Sequence, residues 1–355
     1  MRVRQLDGIR CIAILSVIAG HWIALNSQNS FIKNFPWTNG VILFFVLSGF
    51  LITDILLSLK EKMETGETSL KKALVTFYFR RILRIFPVYF LTILLLHFIR
   101  FKNIDELLPW LASFSTNILM AKSGNYLGEF THFWSLAIEE QFYLFWPFLI
   151  LLVNRKYLLK GICLVALLAI LSKNGLFFIF HFHWMFACYF TTSLLFPLAA
   201  GALIAYYKRY NTNVFENILC NTILFYLSGI IYFLLFSICK LFAFDKLIFI
   251  FDEYVFSVFA LFFVARASSS GFKSFGRWLL ENKPVVYVGM LSYGLYVYHM
   301  FMYSLLNYLA PKWNLHVVSD YQLWLYWFEM LLLIASASYF LIEKPINVLK
   351  KYRPY

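Results

Sequence analysis

Long apolar stretches, separated by short polar or basic segments, make up most of this 355-residue chain. An α-helix needs about 20 predominantly apolar residues to cross a bilayer, and most of these stretches approach that length. The pattern predicts ten membrane-spanning helices, near 9–25, 40–59, 82–99, 133–153, 159–171, 187–207, 222–239, 247–265, 285–308 and 323–342. A further apolar segment, Leu107–Met120, is too short to span and is predicted to be interfacial or re-entrant.

Composition supports a membrane protein and excludes most soluble classes. The chain is 61% hydrophobic and 14% charged, whereas soluble domains are roughly 45–50% apolar and about 25% charged. We therefore predict an all-α integral membrane protein with one polytopic domain over 1–345, a short basic cytoplasmic tail at 346–355 and no fused soluble domain. Nucleic-acid binding, secretion and cytosolic metabolism are excluded.

The net charge of +13 reflects membrane topology more than an anionic partner. If the N-terminus lies inside and the spans alternate, 21 of the 31 Lys and Arg residues lie in inside segments and 8 in outside segments. This bias follows the positive-inside rule and predicts that both termini are cytoplasmic. The five cysteines are scattered without a C-x-x-C pair, so no metal site, disulfide framework or permanently bound cofactor is predicted.

Ionisable residues inside the predicted spans are candidates for function because burying charge in a bilayer is costly. Arg10 and His21 share the first helix. Eleven residues advance an α-helix by about 1100°, so both lie on one face, roughly 16 Å apart along the axis. A snorkelling arginine and a structural histidine are the alternative reading.

The third predicted helix opens with a basic run. Arg81 and Arg84 are three residues apart, so they can hold one anionic group from adjacent turns. Membrane anchoring explains Arg80 well but explains Arg84 poorly, since Arg84 lies inside the predicted span that begins at 82. Asp54, near the inner end of the second helix, is a candidate partner or repeller in the same layer.

The outer half of the bundle is predicted to hold carboxylates and imidazoles. Glu139 and Glu140 follow the outer start of the fourth helix and point about 100° apart, so only one can face a given target. They lie at the predicted depth of His21, where a carboxylate raises imidazole basicity and fixes its tautomer. His299 has this depth too and is equally well explained as structural, and the loop residues His181 and His183 are weaker candidates.

Two layers therefore emerge. The inner layer is basic and suits a phosphorylated cytoplasmic donor. The outer layer combines imidazole with carboxylate and suits general-base activation of a hydroxyl. Together they indicate a group transferred across the membrane rather than a solute carried through it.

Six motifs resemble those of acyltransferase family 3. They run in order from residue 6 to residue 345: Leu6-Asp7-Gly8-Ile9-Arg10 with His21; Phe44-Phe45-Val46-Leu47-Ser48-Gly49-Phe50; Arg81-x-x-Arg84 with Ile85-Phe86-Pro87; Phe133-Trp134-Ser135-Leu136 through Glu139-Glu140-Gln141; Ser292-Tyr293-x-x-Tyr296-x-x-His299; and Glu343-Lys344-Pro345. Each motif alone is weak, but six in order are specific. Some family members carry an additional esterase-like domain, which is not expected here.

The resemblance implies a membrane-bound O-acyltransferase in the bacterial cytoplasmic membrane. The donor would be a cytoplasmic acyl-coenzyme A, commonly acetyl-CoA, and the acceptor a hydroxyl of an extracytoplasmic polysaccharide or glycolipid of the cell envelope. Arg10, Arg81 and Arg84 would hold the donor, and His21 would act as general base supported by Glu139 or Glu140. Further candidate site residues are Asp54, Ser292, Tyr293, Tyr296 and His299.

Two other functions remain open on the residues alone. A proton-coupled transporter of small solutes also uses intramembrane Arg, His and Glu residues, and it predicts inverted repeats with helices interrupted at the midplane. A scaffold or sensor without catalysis predicts that the six motifs tolerate alanine.

Overall fold

The computed structural model describes residues 3–24, 27–309, 312 and 320–353, and within this part the chain contains helices and no strand. The longer helices are α1 (Arg4–Ala19), α2 (Asn39–Glu64), α3 (Leu70–Phe98), α4 (Phe133–Leu152), α5 (Arg155–Asn174), α6 (Leu195–Tyr210), α7 (Thr222–Leu241), α8 (Asp245–Ser268), α9 (Lys283–Met290), α10 (Ser292–Leu309) and α11 (Asp320–Ser338). The prediction of an all-helical protein is confirmed.

Short helical segments connect or extend the long helices. The α-helical ones are Ser30–Asn34, Ile104–Ala112, Thr116–Ser123, Trp184–Tyr189, Thr212–Val214, Ser274–Glu281 and Lys344–Val348. Turns of π-helix cover Gly20–Ala24, Gly175–Ile179, Phe215–Leu219 and Tyr339–Glu343, and 3₁₀ turns cover Gly128–Phe130, Thr191–Leu194 and Leu349–Tyr352. The segment predicted to be interfacial therefore forms two short helices, 104–112 and 116–123.

Within the described ranges, eight helical segments are long and apolar enough to cross a membrane. A ninth is added if α9 and the following part of α10, which meet at a 71° bend, count as one broken span. The predicted span 187–207 is instead divided among Trp184–Tyr189, a 3₁₀ turn and the 16-residue α6. A helix of that length falls short of the roughly 20 residues that a bilayer requires. This is a multi-pass membrane protein, while the count of ten and the placement of the termini stay predictions.

The helices enclose an aromatic-rich core and expose apolar side chains outward. Helix α7 shows this best, since Ile223, Ile230 and Leu241 are 74%, 63% and 79% exposed. An exposed apolar surface of this kind is unfavourable in water and is typical of a helix that faces lipid. Helix α1 lies inside the bundle, in contact with α2, α9 and α10, and continues into the π-helical turn that contains His21.

Two glycines allow α2 and α6 to pack backbone to backbone. A Cβ atom added at Gly49 would overlap the Leu198 carbonyl group, and one added at Gly201 would overlap the Val46 carbonyl group. Small residues at helix interfaces serve close approach in membrane proteins. This contact fixes α2, which forms one wall of the cavity described below.

We expect Gly201→Ala to destabilise the protein because the methyl group meets backbone that cannot move aside. Overpacking of this kind costs roughly 1–3 kcal/mol. Gly161→Ala on α5 is the matched control, since its Cβ would meet only Leu149 at 3.8–4.0 Å. Thermal unfolding in detergent should show a lower midpoint for Gly201→Ala and an unchanged or higher one for Gly161→Ala. Equal midpoints for the two variants would contradict the packing account.

Candidate active site

A cavity of about 290 Å³ lies between α1, α2, α3, α4 and α10. Its apolar wall comes mainly from α2, including Phe44, Leu47 and Leu51. Its polar lining consists of Arg10, Ser48, Arg81, Arg84, Ser135, Glu139, Tyr143, Ser292, Tyr293 and Tyr296. The cavity therefore unites seven residues that the sequence nominated from four separate helices: Arg10, Arg81, Arg84, Glu139, Ser292, Tyr293 and Tyr296.

The three nominated arginines meet at this cavity. Arg10 donates from Nη1 to Oδ1 of Asp7 at 2.5 Å, and Asp7 is buried. Asp7 lies one helical turn before Arg10, so the ion pair orients the guanidinium group along α1. Arg81 and Arg84 project from α3, and the Arg81 guanidinium lies 5.8 Å from the centre of the Phe77 ring.

The C-terminal segment packs against the same region. Arg80 donates to the backbone carbonyls of Lys350 and Arg353 at 2.9 and 3.0 Å, which holds the segment 344–352 against α3. The Lys350 ammonium group lies within electrostatic reach of Arg80, Arg81 and Arg84. The stretch predicted to be a simple tail is therefore helical up to Tyr352 and packs beside the arginines.

Glu139 and Glu140 point in different directions, as their adjacency predicts. Glu139 accepts a hydrogen bond from the Tyr143 hydroxyl at 3.0 Å, and that hydroxyl also lies 2.5 Å from Ser48 Oγ. Glu140 faces away, toward Tyr89 and Tyr293. Its Oε1 has no hydrogen-bond partner among the described residues.

The predicted pairing of a glutamate with His21 differs from the structure. His21 Nδ1 lies 2.9 Å from Nε2 of His299, while Glu139 lies at the arginine-lined cavity. Helix α4 begins at Phe133, as predicted, but Glu139 lies six residues into it, about 9 Å along the axis from that start. The residue that α4 presents to the histidines is instead its N-cap residue, His132.

His21, His132 and His299 form a histidine cluster at one end of the cavity wall. The rings of His21 and His299 stack with centroids 5.0 Å apart, and the His132 ring meets His299 edge-on at 4.9 Å. His132 and His299 are fully buried, at 1% and 0% exposure. The π-helical turn at 20–24 carries His21, and such insertions into α-helices are common at functional sites.

Tyr296 and Ser135 connect this cluster with the cavity. The Tyr296 hydroxyl donates to the His132 carbonyl at 2.7 Å and lies 2.5 Å from Ser135 Oγ. Both side chains also line the cavity, and the Tyr296 ring lies 5.6 Å from that of His299. One layer of side chains therefore separates the arginine-lined space from the histidines.

The other nominated residues lie as follows. Tyr293 donates to the Ile85 carbonyl at 2.6 Å, which joins α10 to α3. Asp54 pairs with Arg209 at 2.9 Å, so its partner is on α6 rather than in the cavity. His183 accepts from the Met185 amide at 3.4 Å, as an N-cap residue does, and His181 is exposed. Across the described ranges, no group of three or more His, Cys, Asp or Glu residues is arranged to hold a metal ion.

Sequence reasoning missed His132, Asp7 and Lys350. Asp7 could have been found as the partner of Arg10, because it stands three residues earlier, and extending the predicted helix 9–25 by one turn would have joined the two. His132 and Lys350 reach their partners through contacts across the fold, and no local pattern indicates those contacts.

Comparison with known proteins identifies the family of this chain. An acyltransferase-domain family model matches residues 3–343. The O-acetyltransferase OatA of Staphylococcus aureus strain NCTC 8325 is 28% identical over 374 residues, which cover 96% of this chain and 57% of that protein. A protein of S. aureus strain COL, named "Putative O-acetyltransferase", is 29% identical over 385 residues with the same coverage.

The chain thus spans 57% of the length of these relatives. No solved structure matches it. The family model covers nearly the whole chain, including the three arginines, both glutamates and the histidine cluster. The chain belongs to acyltransferase family 3.

Proposed function

We propose that this protein is an O-acyltransferase that takes an acyl group, most simply acetyl, from cytoplasmic acyl-coenzyme A. The acceptor would be a hydroxyl of an extracytoplasmic polysaccharide or glycolipid of the bacterial cell envelope. The observation that carries the proposal is the cavity with Arg10, Arg81 and Arg84 at its wall, separated by one layer of side chains from a buried histidine cluster.

The arginines supply the chemistry that a coenzyme A donor needs. A guanidinium group offers paired N–H donors that match a phosphate, and it keeps its charge at any physiological pH. Arg81 and Arg84 can bind the donor phosphates or the pantetheine arm, with Arg80 adding to the positive field beside them. Arg10, oriented by Asp7, lines the same cavity from α1.

His21 is the proposed general base. It would take the proton of the acceptor hydroxyl while that oxygen forms a bond to the acyl carbon, after which the C–S bond breaks and the thiolate leaves. The proton then passes from the imidazole to the thiolate, which completes the ester and free coenzyme A. Such a base typically contributes 10²–10⁴-fold to a rate.

Glu139 has a different proposed role from the one its sequence position suggested. It lines the cavity with the arginines and accepts from Tyr143. A carboxylate there balances part of the cationic charge before the donor binds. We therefore propose that Glu139 adjusts the charge of the donor site and does not act on His21.

One feature of the fold favours a transporter as the second candidate. The 71° bend between α9 and α10 gives a broken helix next to the cavity, since Ser292 at the start of α10 lines it. Broken helices at the membrane midplane commonly form substrate sites in carriers. Uptake of a solute by proteoliposomes without acyl-coenzyme A would favour this alternative.

The proposed function is tested by mass spectrometry of envelope glycans from cells with the gene, without it and with it restored. We expect ester-linked acyl adducts to disappear on deletion and to return on complementation. Mild alkali should remove the same adducts, since it cleaves O-esters. Glycan profiles that are unchanged on deletion would contradict the proposal.

A further inference from the structure

The hydrogen bonds of the histidine cluster determine which ring nitrogens carry protons. His299 Nδ1 lies 2.7 Å from the backbone carbonyl oxygen of Tyr296. A carbonyl oxygen accepts but cannot donate, so His299 Nδ1 must carry the hydrogen. His299 is fully buried and its ring contacts two other imidazoles, and this setting disfavours a charged imidazolium. The ring is therefore neutral, with a bare lone pair on Nε2.

That lone pair faces His21. The distance from His299 Nε2 to His21 Nδ1 is 2.9 Å, which is a hydrogen bond only if His21 Nδ1 carries the hydrogen. A neutral His21 then has its own lone pair on Nε2. The chain of bonds thus runs from His21 through His299 to the Tyr296 carbonyl, and it leaves one nitrogen free to accept a proton.

We propose that His299 is a positioning residue that holds His21 as the Nδ1–H tautomer, so that His21 Nε2 is the atom that accepts the proton of the acceptor hydroxyl. This inference rests on the proposed role of His21 as general base. When Nε2 takes the proton, the resulting imidazolium still donates from Nδ1 to His299. His299 therefore accepts a hydrogen bond from Nδ1 of His21, as the carboxylate of the serine hydrolase triad accepts one from its histidine, but it does so with a neutral imidazole.

The surroundings keep His299 in place. The Trp22 indole nitrogen donates to the His299 backbone carbonyl at 3.1 Å, and the His132 ring packs edge-on against the His299 ring. His132 lies in turn between two backbone carbonyls, Glu129 at 3.0 Å from Nδ1 and Val297 at 3.3 Å from Nε2, and its neutral ring can donate to one of them. Rotation of the His299 ring would break its contacts with both Tyr296 and His21.

The tautomer can be read directly by NMR. In protein labelled with ¹⁵N-histidine and held in detergent micelles, long-range ¹H–¹⁵N correlations distinguish Nδ1–H from Nε2–H rings, and His21→Gln identifies the His21 signals. We expect Nδ1–H for His21 in the wild type and a shift toward Nε2–H in His299→Leu, because free imidazole side chains prefer that form. An Nε2–H His21 in the wild type overturns the inference, even if His299→Leu does not fold.

Kinetics supply the second test. His299→Leu should lower kcat by up to roughly 10²–10⁴-fold, the whole contribution of a general base, because a catalytic histidine held in the wrong tautomer loses most of its effect. The KM for acetyl-CoA should be unchanged. His299→Gln, whose amide oxygen can still accept from His21 Nδ1, should restore most of the lost rate. Equal rates for the Leu and Gln variants would overturn the positioning role.

These outcomes separate the inference from the proposed function. If the wild type transfers no acyl group, the proposed function fails, while the NMR spectrum still reports whether His299 sets the tautomer. His181→Gln is the control for both measurements, because His181 is exposed and lies outside the cluster.

Discussion

Replacing His21 with alanine is expected to reduce acyl transfer by about 10²–10⁴-fold, the usual contribution of a general base. The physical reason is that a hydroxyl is a poor nucleophile until its proton has an acceptor. His21 is the member of the histidine cluster that is partly exposed, while His132 and His299 are buried. Transfer from labelled acetyl-CoA into alkali-labile envelope esters measures the effect.

His181→Ala serves as the matched control for this experiment, because it removes an imidazole from an exposed loop. Both variants should be compared at equal amounts of folded protein in the membrane. The KM for acetyl-CoA should stay near the wild-type value in His21→Ala, because the donor is assigned to the arginines. Wild-type ester levels in His21→Ala would contradict the mechanism.

Replacing Arg81 or Arg84 with glutamine is expected to weaken donor binding by about 10–100-fold, since a hydrogen bond to a charged group contributes about 1.5–3 kcal/mol. Both residues line the cavity. Lysine at either position keeps the charge but loses the paired donors, so its effect should fall between those of arginine and glutamine. Titration of purified protein with acetyl-CoA measures the change.

Arg100→Gln is the control for these variants, because Arg100 lies just past the opposite end of α3 and is exposed. The salt dependence gives an independent check. Raising the ionic strength should weaken acetyl-CoA binding by the wild type more than by Arg84→Gln, because the variant has one less charge to screen. If both glutamine variants bound acetyl-CoA like the wild type, the arginines would have no role in donor binding.

The sequence was sufficient for the helical fold and for most of the polar cavity lining. Arg10 and Arg84 stood out because charge is costly in an apolar helix, and Arg81 because it lies three residues from Arg84. All three line an internal cavity. Periodicity was also sufficient to predict that Glu139 and Glu140 diverge. These inferences require only the directions of side chains along a single helix and the cost of placing a charge in a bilayer.

The arrangement around His21 could not be predicted in this way. The expected common face of Arg10 and His21 assumed an uninterrupted α-helix, but the π-helical turn at 20–24 changes the direction of the His21 side chain. The partner of His21 is His299, which the path of α10 brings to it, and His132 reaches the same place at the N-cap of α4. Neither placement is set by residues near position 21, so a carboxylate at similar predicted depth seemed the better partner than His299.

The broken span at α9 and α10 was likewise hidden in the sequence. The run 285–308 is apolar throughout, and hydropathy does not register a 71° bend between Met290 and Ser292. The bend directs Ser292, Tyr293 and Tyr296 to the cavity and His299 to His21. A straight helix would not bring these four residues to the cavity and to His21. The motif that carries them therefore follows directly after the bend.

The central claim is that one membrane protein moves an acyl group from coenzyme A to a hydroxyl on the other side of the bilayer. It is tested most directly with purified protein in proteoliposomes. Acetyl-labelled acetyl-CoA is supplied on the side of the C-terminus, and envelope glycan stripped of its esters by mild alkali is supplied on the other. The account predicts alkali-labile label on the glycan with one free thiol released per acetyl group, and loss of both in His21→Ala. Label that stays on coenzyme A with the wild-type protein would contradict it.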